Sequence, residues 1–330
     1  MESARRLSIV RFMARALMYR FTTHRVTDLA AAMTFYLVLS VFPLLVAVVS
    51  IVSLVGGVSW LLPRMEEMVA AVASPEITRA FGELIGGFLS SEGAGLALVV
   101  SLLAALWSAS GYLGAFTRAV NTVYQVGEGR NFVKLKAIQL VMTVALVVVI
   151  VLLLIALAVS ATAANWLGHF MGAGDQLAAI WSWLRFPLMG VAVIVIVQLL
   201  YFVAPNVRQS RVRFLSPGAV TAIVLAAGVV GLFRVYLAVF HGASNYAKTY
   251  GALAGVIIVL FLAFLVNVAL LIGAELDAIL ERVRQMRSGL PMDWSLLLPP
   301  RDDTGIVKAA DAWRQLVEQG EAIRLNSGGS

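Results

Sequence analysis

Residues 137–161 read AIQLVMTVALVVVIVLLLIALAVSA. The run carries no charge, and Gln139, Thr143 and Ser160 are its only polar side chains. A bilayer core takes about 20 apolar residues as a helix, so this stretch predicts a membrane-spanning helix. Five further stretches qualify on the same test. The six predicted spans lie near 29–56, 94–122, 136–163, 182–204, 215–240 and 250–280. The second is the most diluted, by Trp107, Ser108, Ser110, Gly111 and Asn121. Composition agrees: 61% of the 330 residues are hydrophobic and 13% charged, against about a quarter charged in soluble domains. The expected fold is an all-α polytopic membrane protein.

Lys and Arg favour the cytoplasmic side of a membrane, and here they alternate by segment. The N-terminal arm has six, from Arg5 to Arg25. The 57–93 loop has two, Arg64 and Arg79, against five Glu. The turn after the second span has Arg118, Arg130, Lys134 and Lys136, and the loop before the fourth has none until Arg185. Arg208, Arg211 and Arg213 follow the fourth span, Lys248 alone follows the fifth, and the tail has seven. Six spans with both termini cytoplasmic account for the whole alternation.

Three segments flank or interrupt the spans. Residues 1–27 form a basic amphipathic arm without a signal-peptide cleavage pattern, expected as a helix on anionic headgroups or as a topology-setting arm. The 57–93 loop has helical apolar spacing in PRMEEMVAAVASPEITRAFGELIGGFL and is expected to cap the outer face. Residues 286–330 form a cytoplasmic tail, with LPPRDDTG as a turn and IVKAADAWRQLVEQGEAIRL as one amphipathic helix, too short for a core of its own.

Polar residues inside spans are costly and usually face a bundle interior or a cavity. Asp28, Asn121, Gln139, Gln198, Asn206, Asn267 and Glu275 all fall in the cytoplasmic third of this topology. They suggest a polar vestibule open to the cytoplasm, although headgroup-level polarity explains them as well. Tyr36, Ser40, Pro43, Ala47 and Ser50 share a face of the first span; Ala104, Ser108, Gly111 and Ala115 share one on the second; Gly251 and Gly255 are four apart in the sixth. These stripes suit close helix packing, and Pro43 predicts a kink.

One cation breaks the pattern. In VVGLFRVYLAVF, residues 229–240, Arg234 interrupts an apolar run. If the fifth span centres near residue 227, Arg234 lies about 10 Å from the midplane on the outer side. Helical side chains lean towards the helix N-terminus, here the cytoplasmic side, which opposes snorkelling outward. Three readings stay open: snorkelling, a pair with outer-loop acids such as Glu83 or Glu92, and contact with a substrate or gate.

Several chemistries are excluded by their missing parts. With no Cys there is no thiolate chemistry and no disulfide. GxxxxGK[ST], HExxH and GxSxG are absent, and no carboxylate cluster suits a two-metal nuclease. His24, His169 and His241 are far apart in the expected topology. Neither catalysis, a cofactor nor a metal is expected. Positive-inside charge explains the basic loops without nucleic acid.

The stretches DLAAAMTFYLVLSVFPLL (28–45), LWSASGYLGAFTRAVNTVYQVGEGRNF (106–132), YFVAPNVR (201–208) and YGALAGVIIVLFLAFLVNVALLIGAELDAIL (250–280) together resemble the YihY/BrkB family of bacterial inner-membrane proteins. The resemblance covers about residues 20–285, on Phe35, Tyr36, Ser40, Pro43, Trp107, Asn121, Tyr124, Pro205, Asn206, Tyr250, Gly251 and Glu275. It implies a multi-pass inner-membrane protein with a transport or envelope role. The family once carried the label ribonuclease BN, which the missing nuclease residues argue against here.

The expected function is therefore a transporter or lipid translocator for an anionic small molecule or lipid headgroup. Arg118, Arg130, Arg208, Arg211 and Arg213 would draw anions to its mouth. Asn121, Gln198, Asn206, Asn267, Glu275, Asp28, Tyr36 and Ser40 would lie along the pathway, and Arg234 near an outer gate. A non-transporting envelope scaffold is the alternative, with a membrane-bound enzyme third. Membrane lipids are the expected partners, and a homo-oligomer stays open.

Overall fold

The computed structural model describes residues 2–54, 94–158, 175–208, 216–239, 253–291 and 298–327, with a few isolated positions between 63 and 83. Regular structure among them is helical: α1 Glu2–Thr23, α2 Val26–Leu54, α3 Ala94–Val123, α4 Phe132–Ala158, α5 Asp175–Val203, α6 Pro217–Val239, α7 Leu253–Arg287 and α8 Thr304–Ser327. One isolated antiparallel bridge joins Val207 to Pro300. Helices α2 to α7 stand on the six stretches expected to span. Among the described residues, Phe132–Leu153, Pro217–Tyr236 and Val256–Arg287 are long and apolar enough to cross a membrane, with Val26–Ser40 and Pro187–Val203 as shorter apolar helices.

Local chemistry sets the helix ends. Arg25 takes a left-handed φ of 52° and separates α1 from α2. Ser216 caps α6: its Oγ accepts the Ala219 N–H at 3.0 Å, and Pro217 fills the first helical position, where no N–H is needed. Beyond α7, Gly289 has φ of 89°, and the Leu290 N–H closes back on Gln285 O at 3.1 Å. Glycine takes this conformation without a Cβ clash.

Helix α7 is the spine, packing on α6, α2, α3 and α1, while α2 pairs with α3. Its crossing with α6 is at backbone contact. A Cβ on Gly218 would sit 2.1 Å from Gly273 O, and one on Gly273 would sit 2.4 Å from Gly218 O. The tight approach expected at Gly251 and Gly255 is thus described elsewhere, since Gly251 lies outside the described residues and Gly255 is in the first turn of α7. Gly111 lies against Tyr36, whose Cδ1 would be 3.3 Å from an added Cβ. Pro43 falls within α2, with its side chain outside the described residues.

The C-terminal end of the arm packs on α7. Arg20 is buried there, while its neighbours Met18 and Tyr19 are exposed. Arg20 turns inward because it meets Glu275 of α7 at 3.6 Å. The expected outer cap at 57–93 lies mostly outside the described residues.

Candidate functional site

Among the described residues, a space inside the bundle and an open pocket at one end carry polar side chains. The larger has a volume of about 1010 Å³ and is lined from all six helices α2 to α7. Its wall is apolar: Leu37, Leu113, Leu146, Ile150, Val193, Val197, Ala226, Val230 and Leu270 are typical. Pro187 lies within α5, just before the lining residues Met189 and Gly190, and removes one helical hydrogen bond there. Four polar side chains reach this space: Ser40, Tyr112, Thr143 and Arg234. The three hydroxyls already donate. Ser40 Oγ binds Tyr36 O at 2.6 Å, Thr143 Oγ1 binds Gln139 O at 2.8 Å, and Tyr112 Oη binds Asn267 Oδ1 at 3.0 Å. Among the lining residues Arg234 carries the only charge. It also has an exposed side, so it marks the edge of the cavity.

The second space, about 580 Å³, lies at the end of the bundle that holds the α1–α2 and α3–α4 turns. Thr23, His24, Arg118, Asn121, Thr122, Gln125 and Glu128 are among its lining residues. Arg118 is exposed, and its guanidinium carbon lies 5.4 Å from the Tyr36 ring centre, a cation–π contact. A buried polar set lies beside the larger space. Asn267 Nδ2 donates to Thr34 Oγ1 at 3.0 Å and Asn267 Oδ1 accepts from Tyr112, so α2, α3 and α7 are tied at that level. Asn267 lines neither space.

At the same end a clasp joins three segments. Asn206, fully buried, donates through Nδ2 to Gly127 O at 3.0 Å and to Asp302 O at 2.7 Å. Its Oδ1 accepts the Asp302 N–H at 3.1 Å, and its own N–H reaches Asn121 Oδ1 at 2.8 Å. Asn121 Nδ2 donates to Glu128 Oε2 at 3.0 Å. Arg130 clamps Glu128 through Nε and Nη2, each at 2.7 Å, and also donates to Ala204 O at 2.9 Å. From the tail, Arg301 donates to Val207 O at 2.8 Å and to Phe202 O at 2.5 Å. Lys134 closes the clasp on Asp302 at 2.6 Å.

These pairings set the charge states. Burial pushes the Glu128 carboxyl up, but hydrogen bonds from Arg130 and Asn121 outweigh it and leave it lowered. The Lys134 ammonium, with Thr304, lowers Asp302 from 3.8 to about 2. Burial and then the neighbouring Arg130 charge lower Arg301.

Several expected site residues therefore have a different setting. Arg130 was expected to attract anions at a mouth; it is buried and fully engaged. Asn121 and Asn206 were expected to line a polar vestibule; their amides bind backbone and Glu128, although Asn121 also borders the end pocket. Glu275 is completely buried, with Oε1 2.5 Å from His24 Nδ1 and Oε2 3.6 Å from the Arg20 guanidinium. It holds α1 to α7 and opens to neither space. Asp28 is exposed and pairs with Arg25 at 2.8 Å. Gln198 is half-buried on α5. Arg208 is exposed, with its N–H on Pro299 O at 2.9 Å. Arg211 and Arg213 lie outside the described residues.

Sequence reasoning missed Arg20, His24, Glu128, Arg301, Asp302 and the apolar character of the large cavity. GEG at 127–129 was the available signal for the clasp: a Cβ on Gly129 would lie 1.7 Å from Asp302 O. Among the described residues no group of three or more His, Cys, Asp or Glu is arranged for a metal ion.

The profile of the family described as virulence factor BrkB matches residues 17–295. The chain belongs to the BrkB family. This BrkB-family chain is 27% identical over 271 residues to the Bacillus subtilis protein named ribonuclease-like protein YfkH, covering 81% of the chain and 94% of the relative. It is also 27% identical over 330 residues to a UPF0761 membrane protein of Xanthomonas oryzae, covering 98% of the chain and 71% of the relative. No solved structure gives a significant match. Apolar helices and these relatives make it a multi-pass membrane protein, and helical spans belong to the bacterial inner membrane, whereas the outer membrane takes barrels.

Proposed function

We propose that this BrkB-family protein moves an anionic amphiphile, a lipid or lipid-like molecule with a charged headgroup, across the inner membrane. The reading takes α2 to α7 as six spans with both termini cytoplasmic, so the end pocket faces the cytoplasm and Arg234 the outer half. The observation that carries it is the central cavity of about 1010 Å³, with a mostly apolar wall and Arg234 at its edge. Apolar ligands bind by losing contact with water, and a cation at the depth of a membrane span favours an anionic partner. A cavity of this character therefore suits acyl chains with an anionic group at Arg234, and suits a small hydrated anion poorly. Arg118 at the end pocket would receive the headgroup first. Tyr112, Asn267 and Thr34 would form the partition that opens during passage. The role is non-catalytic.

The test is flux in proteoliposomes with a fluorescent phosphatidylglycerol and, separately, a small anion such as chloride. Arg234→Leu is expected to lower lipid flux at least tenfold while the protein stays folded. Lipid flux unchanged by Arg234→Leu removes that residue from the pathway, and chloride flux without lipid flux overturns the amphiphile. An envelope scaffold is the second reading, favoured by α8, where Trp313, Leu316 and Ile323 are exposed. It expects deletion of residues 304–330 to abolish function with flux untouched.

A further inference from the structure

Glu275 is the one carboxylate in the described bundle that is completely buried, and its two oxygens are treated differently. Oε1 meets His24 Nδ1 at 2.5 Å. Oε2 has no hydrogen bond among the described residues and faces Arg20 only at 3.6 Å. An ionised carboxylate in such a place needs close counter-charge or several donors, and this one has one short bond and a guanidinium at 3.6 Å. The partner in that bond has two faces. His24 also lines the end pocket, where its Nε2 lies 3.3 Å from the Gln125 amide nitrogen. One nitrogen of the ring thus meets an open polar pocket and the other a sealed carboxylate.

We propose that Glu275 is a proton-binding site loaded from the end pocket through His24, the site at which a pH gradient couples to the transport proposed above. With the Gln125 amide donating to Nε2, the neutral ring carries its proton on Nδ1 and donates it to Glu275. A proton arriving from the pocket sits on Nε2, and Gln125 turns to accept from it through its carbonyl oxygen. The imidazolium then passes its Nδ1 proton to Oε1. The product is neutral Glu275 and a neutral ring protonated on Nε2. Reversal returns the carboxyl proton to Nδ1 and the Nε2 proton to the pocket. Neutral Glu275 no longer attracts Arg20, so protonation loosens the hold of α1 on α7. That gives the proton a mechanical effect on the spine of the bundle.

The surrounding charges permit this. Arg20 on α1 is the buried cation beside Glu275, and Arg282, also buried, follows about two turns along α7. Tyr124, at the end of α3, is held above its ordinary value by burial and then by Asp277, Glu281 and Glu275, so it stays a neutral neighbour. In the end pocket Glu128 is neutralised by Arg130, and Arg118 is the remaining cation facing that space. Arg25 and Asp28 pair with each other on the surface of α2.

The full-length protein in nanodiscs tests the site without reference to flux. Imidazole nitrogen NMR, with the His24 signal assigned by its loss in His24→Gln, follows the ring through pH. In Glu275→Gln the His24 midpoint is expected to fall by about one pH unit or more, a tenfold change in proton affinity. An identical midpoint in both proteins overturns the proposal. Infrared difference spectra cover the case in which Glu275→Gln fails to fold. Acidifying the wild type should produce a carboxylic-acid band whose titration is displaced by at least one pH unit in His24→Gln, and no displacement overturns the relay. In proteoliposomes, the fluorescent phosphatidylglycerol should accumulate along a pH gradient in the wild type and only equilibrate in His24→Gln. Wild-type flux indifferent to the gradient overturns coupling while leaving transport standing. Absent flux rejects the transport reading, and the two spectroscopic results still decide the proton site.

Discussion

Gly129 shows how one missing methyl can decide a contact. Its backbone lies so close to the tail that an added Cβ would sit 1.7 Å from Asp302 O, with the Gly305 N–H bound to Gly129 O at 2.8 Å. Gly127, two residues earlier, would place its Cβ 3.2 Å from the side chain of Ile306, which can shift. Gly129→Ala is therefore expected to release the tail and destabilise the protein by about 1–3 kcal/mol, with Gly127→Ala nearly silent. Limited proteolysis between residues 288 and 304 reads the difference. Asp28→Ala should also be nearly silent in thermal unfolding, because its exposed pair with Arg25 is worth about 0–1 kcal/mol.

Between elements, Asn206 has the heaviest duty. It joins the end of α5 to the α3–α4 turn and to the tail through both ends of its amide. Asn206→Ala would strand buried backbone groups on two segments, at a cost of about 3 kcal/mol, and a denaturant melt should show it. The α6–α7 crossing behaves alike for a steric reason, since Gly218 and Gly273 touch backbone to backbone. How much of this was readable in the chain varies by element. Helices α4 and α7 announce themselves by long apolar runs. Asn121 and Asn206 were visible as polar groups at span ends, but their roles depended on partners 85 and 96 residues away. No local pattern reports such separations. Arg20 misled for a related reason: hydropathy turns a cation outward, yet Glu275, far along the chain, turns this one inward. The apolar cavity was invisible because it is a gap between six helices, set by packing and belonging to no single one.

On the scale of the whole molecule, the clasp and the bundle respond differently to acid. Asp302 has its carboxyl lowered from 3.8 to about 2 by Lys134 and Thr304. A depressed carboxyl stabilises the folded state fully above its unfolded value and loses that contribution as pH falls through the folded one. Tail docking should therefore be insensitive to pH above about 4 and weaken between 3.8 and about 2. Lys134→Ala removes the largest cause of that lowering, so the weakening should be smaller and end at a higher pH. A fluorophore on α8 would follow it through anisotropy, rising freedom marking release.

Synthesis of the chain gives the clasp one more meaning. The ribosome makes the chain from the N-terminus, so residues 298–303 are made only after α1 to α7. Until then the Asn206 amide and the groove beside Gly129 await partners that have not yet been translated. This end of the bundle closes as one of the last acts of its biogenesis. A ribosome that stops early would leave a membrane protein with an open seam, a ready mark for the proteases that clear unfinished chains.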